Sequence, residues 1–238
     1  MKRRFLSVLA LLIGIAGAVF GQTPATLPYS CSFEATGDNG WTLKNGACTN
    51  KWHVGTPSSP TGHSGSLFIS ADNGATAGYN TGEYSAVIAE KLFQTGETDS
   101  LAIGFDVTID GEYDYDYLKV FWVPADTNFE GSRNSVYFAE RNYNTNVIMS
   151  NAPAGSRYYI YNTEGRRKVC IANEPNTLKK LVFVWKNDGS GGVSTRSDYR
   201  QYQHRRSERQ VCRADGFDRG KYIPNRFHLE LERQCIEL

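Results

Sequence analysis

The chain has 238 residues, with 26 Lys and Arg against 25 Asp and Glu and a formal net charge of +1. This length supports one domain with a real hydrophobic core, and the charge of the whole chain is close to neutral. The charge is unevenly spread. Residues 22–193 hold 13 of the cations and 18 of the acidic residues, whereas residues 194–238 hold ten cations, nine of them Arg, and seven acidic residues.

Residues 1–21 are typical of a secretory signal peptide. A positive start, Lys2-Arg3-Arg4, precedes an apolar run over residues 5–20, and Gly21 is small enough for the last position before a cleavage site. A membrane span would need about 20 apolar residues with flanking charges, which do not follow here. We therefore expect a protein that is secreted or displayed on the outer cell surface, in a compartment that permits disulfides.

Residues 22–193 predict one all-β domain. Short runs with alternating, β-branched or aromatic residues recur between Gly, Asn, Asp and Pro clusters, which are turn signals. No apolar stretch keeps a helical period of 3.6 over three turns. This pattern is typical of a jelly-roll β-sandwich. The predicted strands are Tyr29–Phe33, Trp52–Gly55, Ser66–Ser70, Tyr84–Phe93, Leu101–Ile109, Tyr117–Val123, Ser135–Ala139, Arg157–Tyr161, Lys168–Ile171 and Leu178–Trp185.

The stretch from Glu112 to Trp122 is the clearest strand signal. From Asp116 onwards the side chains alternate with a period of two, so Asp116 and Leu118 share the face that enters the core. Extended backwards, the same parity puts Glu112 and Asp114 on that face. Carboxylates that enter a core must be paired, hydrogen-bonded or metal-bound. We interpret the stretch as the central strand of the sandwich with an acidic cluster at its entry; the alternative is a solvated Tyr/Asp loop before an ordinary strand.

A series of short motifs resembles a known module. The motifs are Ser32-Phe33-Glu34, Gly40-Trp41, Lys51-Trp52, His63-Ser64-Gly65-Ser66, Asp116-Tyr117-Leu118-Lys119-Val120 and Phe183-Val184-Trp185-Lys186-Asn187-Asp188. Their order over residues 27–192 resembles the cleaved-adhesin or choice-of-anchor J family, the MAM-like jelly rolls of secreted bacterial surface proteins, including gingipain haemagglutinin regions. The resemblance implies a jelly roll with structural calcium that acts as an adhesin, or as a non-catalytic module beside a catalytic one.

Residues 194–238 depart from that family, whose domains close with a strand resembling Pro-Pro-Ala-Ala-Ile-Asp-Asn-Ile-Ser-Ile. With the reading frame moved forward by one base and synonymous codons chosen, residues 194–206 can encode Pro-Pro-Ala-Ala-Ile-Ile-Asp-Asn-Ile-Ser-Ile-Asp. In the same frame, residues 214–233 can encode text that resembles the opening of a fibronectin type III domain. We therefore interpret the tail as out of frame and disordered, and the protein as truncated from a larger surface protein. The DNA sequence decides this.

The structural consequence of such a tail is a sandwich that lacks its last strand. The resemblance implies that the neighbour left without a partner is Tyr29–Phe33, and its unpaired backbone groups would make the product aggregation-prone. A helix over Asn225–Leu238 would reflect local propensity only. The alternative is a genuine basic tail that binds nucleic acid or anionic lipid, but its acidic residues dilute the charge and it contains no binding motif, so we predict no nucleic-acid partner.

Five acidic residues are the candidate calcium ligands, because calcium takes several oxygen ligands, often from separate loops. Glu34 follows a strand, Asp38 and Asp72 lie in Gly/Asn turns, and Asp114 and Asp116 enter the predicted central strand. Their spacing is not that of an EF-hand loop. The alternative is that all five are solvated turn residues.

The cysteines predict one disulfide and no nucleophile. Cys31 and Cys48 bracket a loop of about 16 residues, which a bridge would stabilise by roughly 3 kcal/mol. Cys170 lies in a strand-like run with no catalytic motif, so we predict a buried thiol rather than a nucleophile paired with His53 or His63. A carboxylate pair for glycoside hydrolysis stays open as a second catalytic alternative.

Exposed aromatic residues are the candidate ligand contacts, since they suit sugar stacking and contact with a host protein. The candidates are Tyr79, Tyr84, Tyr113, Tyr115 and Trp41, although tryptophans of this kind more often lie in the core. We predict a secreted, non-catalytic adhesin-type module that binds a host protein or a glycan. The alternative is an accessory carbohydrate- or substrate-binding domain of a secreted hydrolase or peptidase.

Overall fold

The computed structural model describes residues 22–34, 37, 39–58, 65–130, 147–149, 159–191 and 229–232. Every regular element in these ranges is a strand, which confirms the predicted all-β class. A helix with the length and apolar character of a membrane span is not found in the described part. The strands are β1 (Ala25–Thr26), β2 (Tyr29–Cys31), β3 (Thr42–Lys44), β4 (Lys51–Gly55), β5 (Ser66–Ser70), β6 (Tyr84–Gln94), β7 (Ser100–Ile109), β8 (Tyr117–Pro124), β9 (Thr163–Ala172), β10 (Leu178–Asp188) and β11 (Leu229–Glu232).

The first sheet is built around β10, which pairs antiparallel with β6 on one side and with β8 on the other. The β6–β10 ladder is continuous from Leu178 to Asp188. On the far edge of β6, β1 pairs in parallel and β3 antiparallel. The predicted central strand, β8, lies beside β10, which is in the middle of the described ladders. Within the described residues, the other side of β8 forms only isolated bridges, from Leu118 and Phe121.

The second sheet has the order β2, β11, β7, β9, and all of its pairings are antiparallel. The β7–β9 ladder runs from Ser100 opposite Ala172 to Ile109 opposite Thr163. The strands β4 and β5 form a separate two-stranded ribbon. One of the passages from the second sheet to the first is the short segment between β7 and β8.

The main core lies between the two sheets, and β8 follows the predicted period of two. Leu118 and Trp122 of β8 face this core, as does Phe183 of β10. Phe183 stacks on Trp41 with ring centroids 5.4 Å apart and meets Phe105 of the second sheet edge-on at 5.4 Å. Full burial of a side chain such as Phe183 contributes about 1.5–3 kcal/mol. These ring contacts join the two sheets.

The outer face of the first sheet is also covered. Phe121 of β8 packs on Phe129 with ring centroids 5.2 Å apart, within a second apolar cluster. Beside it, the buried carboxylate of Glu90 pairs with Lys44 at 3.1 Å and with Lys180 at 3.2 Å. A buried carboxylate needs such partners because desolvation of an isolated charge is costly. The central strands of this sheet are therefore buried on both faces.

The tail contributes a strand, and here the structure differs from the sequence prediction. In β11, Leu231 pairs with Tyr29 of β2 and with Ile103 of β7, and its side chain belongs to the main core with 1% exposure. Residues 229–232 read Leu-Glu-Leu-Glu, an alternation typical of a strand. The predicted gap beside the first strand is therefore filled. The rest of Asn225–Leu238 lies outside the described residues, and the reading-frame hypothesis, which concerns the DNA, stays a prediction.

Two predicted strands have other outcomes. Ser135–Ala139 lies outside the described residues. In Arg157–Tyr161, the described part forms only a bridge between Ile160 and Leu118, and the strand that follows starts at Thr163. The short strands β1 and β3 were not predicted, because two or three residues carry no measurable periodicity.

Candidate functional site

The tyrosine turn, defined as residues 112–116, connects β7 to β8. The amides of Tyr115 and Asp116 donate to the carbonyl oxygen of Glu112, at 3.1 and 3.0 Å. Asp114 has a φ of 67°, in the left-handed region that Asp and Asn enter more readily than other non-glycine residues. The turn interrupts the period of two. The predicted row of three carboxylates on the core face is therefore wrong: Asp116 is buried, whereas Glu112 and Asp114 are half-buried.

Two tyrosine rings project from this turn. Tyr113 is 45% exposed and Tyr115 is 49% exposed, and among the described residues these are the large hydrophobic side chains that remain exposed. Both are predicted ligand contacts. An exposed aromatic pair on an ordered turn presents apolar faces and hydroxyl groups to a ligand.

Asp116 fixes the base of the turn. Its carboxylate accepts a hydrogen bond from the hydroxyl of Tyr79 at 2.8 Å and another from the backbone amide of Asp188 at 3.0 Å. Burial raises the pKa of Asp116 to about 6, and the nearby Asp188 and Glu112 carboxylates add to the rise, while the two hydrogen bonds oppose it. One side chain thus joins the turn to the end of β10 and to the segment before β6.

A tyrosine cluster, formed by Tyr113, Tyr117, Tyr159 and Tyr161, supports the exposed ring of Tyr113. Tyr113 meets Tyr161 edge-on at 5.3 Å and Tyr159 at 6.3 Å, and Tyr159 stacks on Tyr117 at 4.5 Å. Burial raises the pKa of Tyr159, and Asp114 adds to the rise. Each ring pair adds about 0.5–1.5 kcal/mol beyond its area burial, so the orientation of Tyr113 is held by packing.

Two lysines lie against the buried part of this cluster. The ammonium groups of Lys119 and Lys186 stand 5.5 and 5.1 Å from the centroid of the Tyr117 ring. Both side chains are buried, with 2% and 8% exposure. An ammonium group over a ring face is attracted by the ring quadrupole, and here the attraction operates inside the protein.

The other predicted ligand contacts lie outside the tyrosine turn. Tyr79 is 7% exposed and packs edge-on against Trp185 at 5.0 Å, so its role is structural and the prediction of a ligand contact is wrong. Tyr84 is half-buried at the first position of β6, opposite Asp188. Trp41 lies in the main core with 1% exposure. Tyr79 and Trp41 therefore serve packing, and a ligand contact at Tyr84 stays a prediction.

The described members of the predicted calcium set do not converge. Glu34 accepts a hydrogen bond from the amide of Gly65 at 3.1 Å, and Asp72 is occupied by groups of its own turn. Asp114 and Asp116 lie in the tyrosine turn, and Asp38 lies outside the described residues. Among the described residues, no three His, Cys, Asp or Glu side chains form a group that could hold a metal ion. Calcium binding stays a prediction, which a calcium titration followed by thermal unfolding tests.

The cysteines also differ from prediction. Cys31 and Cys48 are buried thiols and are not joined by a disulfide. Cys31 lies on β2 beside the Tyr29 hydroxyl, whereas Cys48 lies in a turn closed by its amide on the carbonyl of Asn45 at 3.2 Å. Cys170 is exposed rather than buried, because it faces outward from β9.

The residues considered for thiol catalysis stand on different sheets. His53 belongs to the β4–β5 ribbon and Cys170 to β9 of the second sheet. His63 lies outside the described residues. The described part therefore provides no support for a thiol–imidazole pair.

Sequence reasoning missed Tyr159 and Tyr161 as parts of the site. They were assigned to a strand, Arg157–Tyr161, on their aromatic content alone. The available signal was the spacing of two residues between them, which places both rings on one side of an extended segment. The partner segment, the tyrosine turn, shows the same spacing at Tyr113 and Tyr115.

Comparisons with known proteins add little to this geometry. No family profile matches the chain, so the choice-of-anchor J resemblance stays a prediction. No curated protein matches either. The solved structures that match include the CBM22-1 xylan-binding domain of Paenibacillus barcinonensis Xyn10C, with a TM-score of 0.38 and 13% sequence identity, over 69% of this chain and 86% of that one.

Proposed function

We propose that this chain is a secreted, non-catalytic binding module of the adhesin type, which attaches to a host protein or a glycan through Tyr113 and Tyr115. The observation that carries the proposal is the exposure of these two rings, at 45% and 49%, in a described part whose other large hydrophobic side chains are buried or half-buried. Single exposed hydrophobic residues are common, but two exposed aromatic side chains within one five-residue turn concentrate apolar surface at one place. Contact with a ligand would cover this surface.

The support beneath the rings favours binding. Asp116 is hydrogen-bonded to two separate segments, and Tyr113 packs on Tyr159 and Tyr161. A surface that is ordered before the ligand arrives loses less conformational entropy on binding. Tyrosine adds to this advantage, because it has few rotatable bonds for its contact area.

The alternative is an accessory carbohydrate-binding domain of a secreted hydrolase or peptidase. Exposed tyrosine rings suit stacking on sugar rings as well as contact with proteins. The two functions differ in the ligand, since the accessory domain would bind the polymer that its enzyme degrades. A glycan array and a panel of immobilised host extracellular proteins, run beside peptidase and glycosidase substrates, separate them.

The test of the site uses residues 22–238 on that array and panel. The double variant Tyr113→Ala with Tyr115→Ala is expected to weaken binding by about tenfold or more, because removal of aromatic contact residues is among the most costly changes in an interface. The matched control is Tyr113→Phe with Tyr115→Phe, which keeps both rings. An alanine double variant that binds like the unmodified protein, while both variants unfold at the same temperature, would show that the ligand binds elsewhere.

A further inference from the structure

The side chain of Lys44, on β3, reaches three oxygen acceptors on the outer side of the first sheet. Its ammonium group donates to the Oδ1 atom of Asn128 at 2.9 Å and to the carbonyl oxygen of Phe129 at 3.1 Å. It also pairs with the Oε1 atom of Glu90, on β6, at 3.1 Å. An amine, a carboxamide and a carboxylate from separate segments of the chain therefore meet at one point.

The carboxamide of Asn128 is oriented from both sides. Its oxygen accepts from Lys44, and its Nδ2 group donates to the Oε1 atom of Glu130 at 2.7 Å. A carbonyl bond is about 1.2 Å long, so the Lys44 nitrogen lies at most about 4 Å from the Cγ atom of Asn128. Groups react most readily when the two atoms are held about 3–3.5 Å apart. Rotation of these two side chains is sufficient to reach that distance.

Glu90 is placed to accept a proton from Lys44. It is 4% exposed, and its Oε1 atom also pairs with Lys180 at 3.2 Å. Its other oxygen, Oε2, is buried and has no hydrogen-bond partner. A protonated carboxyl group carries its hydrogen on an oxygen to which no other group donates, and Oε2 meets this condition. Buried polar atoms are normally hydrogen-bonded, so this oxygen points to a role in proton transfer.

We propose that Lys44 and Asn128 form an isopeptide bond within the chain. Glu90 takes one proton from the Lys44 ammonium group, and the neutral amine adds to the Cγ atom of Asn128. A second proton passes from the attacking nitrogen to Nδ2, the Cγ–Nδ2 bond breaks, and Nδ2 leaves as ammonia. The ammonia accepts the proton that Glu90 held. The products are one amide and one ammonium ion, so atoms and charge balance without an oxidant or a further reactant.

The site suits this reaction in its exit path and in its place in the fold. Asn128 and Glu130 are exposed, so the released ammonia departs directly into solvent. The new bond joins β3 to the segment after β8, whose Phe129 ring packs on Phe121 at 5.2 Å. It therefore fixes the cover of the outer face of the first sheet. This inference goes beyond the proposed function and does not involve the tyrosine turn.

Peptide mass spectrometry of residues 22–238 tests the bond. A tryptic digest is expected to contain one branched species that joins the Lys44 and Asn128 peptides, lighter than their sum by one ammonia, because trypsin does not cleave after an acylated lysine. The branched species is decisive, since cyclisation of Gln22 at the new N-terminus and succinimide formation at Asn-Gly sequences also release ammonia. Recovery of Lys44 only in linear peptides cleaved after this residue would overturn the inference.

Variants separate the reacting groups from the proton acceptor. Asn128→Asp is expected to form the same bond with loss of water, whereas Lys44→Arg keeps the charge and is expected to give no branched species. Glu90→Gln is expected to lower the yield of the branched species by about tenfold or more at a fixed time after synthesis. An unchanged yield would overturn the role of Glu90. The digest of the unmodified protein needs no variant to fold.

Discussion

Asp72 and Asp116 each stabilise a turn, and their surroundings shift the pKa values of the two carboxyl groups in opposite directions. Asp72 is exposed and accepts hydrogen bonds from the hydroxyl groups of Ser70 and Thr76, each at 2.6 Å, and these bonds hold its pKa down at about 2. Asp116 also accepts two hydrogen bonds, but it is buried, and its pKa rises to about 6. Burial outweighs hydrogen bonding at the second site.

The two carboxylates also differ in how far along the chain their hydrogen-bond partners lie. The partners of Asp72 lie two and four residues away, so this carboxylate stabilises its own loop. The partners of Asp116 are 37 and 72 residues away, so this carboxylate joins three segments at the tyrosine turn. A buried carboxylate with distant partners contributes to the tertiary structure of the site, whereas an exposed one with near partners contributes to local order.

We expect the largest effect on stability from Asp116→Ala. We expect it to lower the free energy of unfolding by about 2 kcal/mol, because the Tyr79 hydroxyl and the Asp188 amide lose a charged acceptor. Urea unfolding of residues 22–238 measures the change. Asp116→Asn, which retains one acceptor oxygen, is the control and should lose less. Equal losses for both variants would mean that the hydrogen bonds are not the cause.

The pH dependence of stability tests the same difference between Asp116 and Asp72. The pKa of Asp116 is raised on folding, so the folded state binds the proton more tightly than the unfolded state. The stability that Asp116 contributes is therefore fully present below its pKa in the unfolded chain, which is near 4, and it is lost as pH rises through about 6. We expect the stability of the unmodified protein, relative to Asp116→Asn, to fall between these values. A relative stability that rises over this window would contradict the assignment.

Asp72 should show the opposite sign and the smaller effect. Its pKa is lowered on folding, so its contribution is present above the unfolded value and is lost as pH falls towards about 2. Asp72→Ala should therefore cost less than Asp116→Ala at neutral pH, since exposed groups contribute little. Unfolding followed from pH 5 to strong acid measures this. The comparison fails if Asp72→Ala is the more damaging variant at pH 7.

The smallest expected effect on stability concerns the exposed rings. Tyr115→Ala should leave the unfolding temperature nearly unchanged, because substitutions at exposed positions away from special features usually change stability by less than about 0.5 kcal/mol. Tyr113→Ala should cost slightly more, because Tyr113 packs on Tyr159 and Tyr161. Thermal unfolding of the two variants side by side tests the order. A larger loss for Tyr115→Ala would show that its ring has a structural role.

Local patterns in the sequence predicted the class of fold and the alternation in β8, because these depend on neighbours one and two residues apart. They also predicted that Tyr113 and Tyr115 are exposed, but they placed Glu112 and Asp114 on the core face. That error came from extending a period of two through a segment whose amides bond back to the Glu112 carbonyl. The link from Asp116 to Tyr79 joins distant segments, and no local pattern contains it.

The place of β11 has a consequence for synthesis of the chain. The first sheet contains residues up to Asp188, so all of its strands are available once that residue has left the ribosome. Between β2 and β7, however, the space is filled by Leu229–Glu232, which is made some 40 residues later. During that interval Tyr29–Cys31 lacks the strand with which it pairs in the folded protein. A chaperone that holds extended segments would be expected to engage the nascent protein at this first strand.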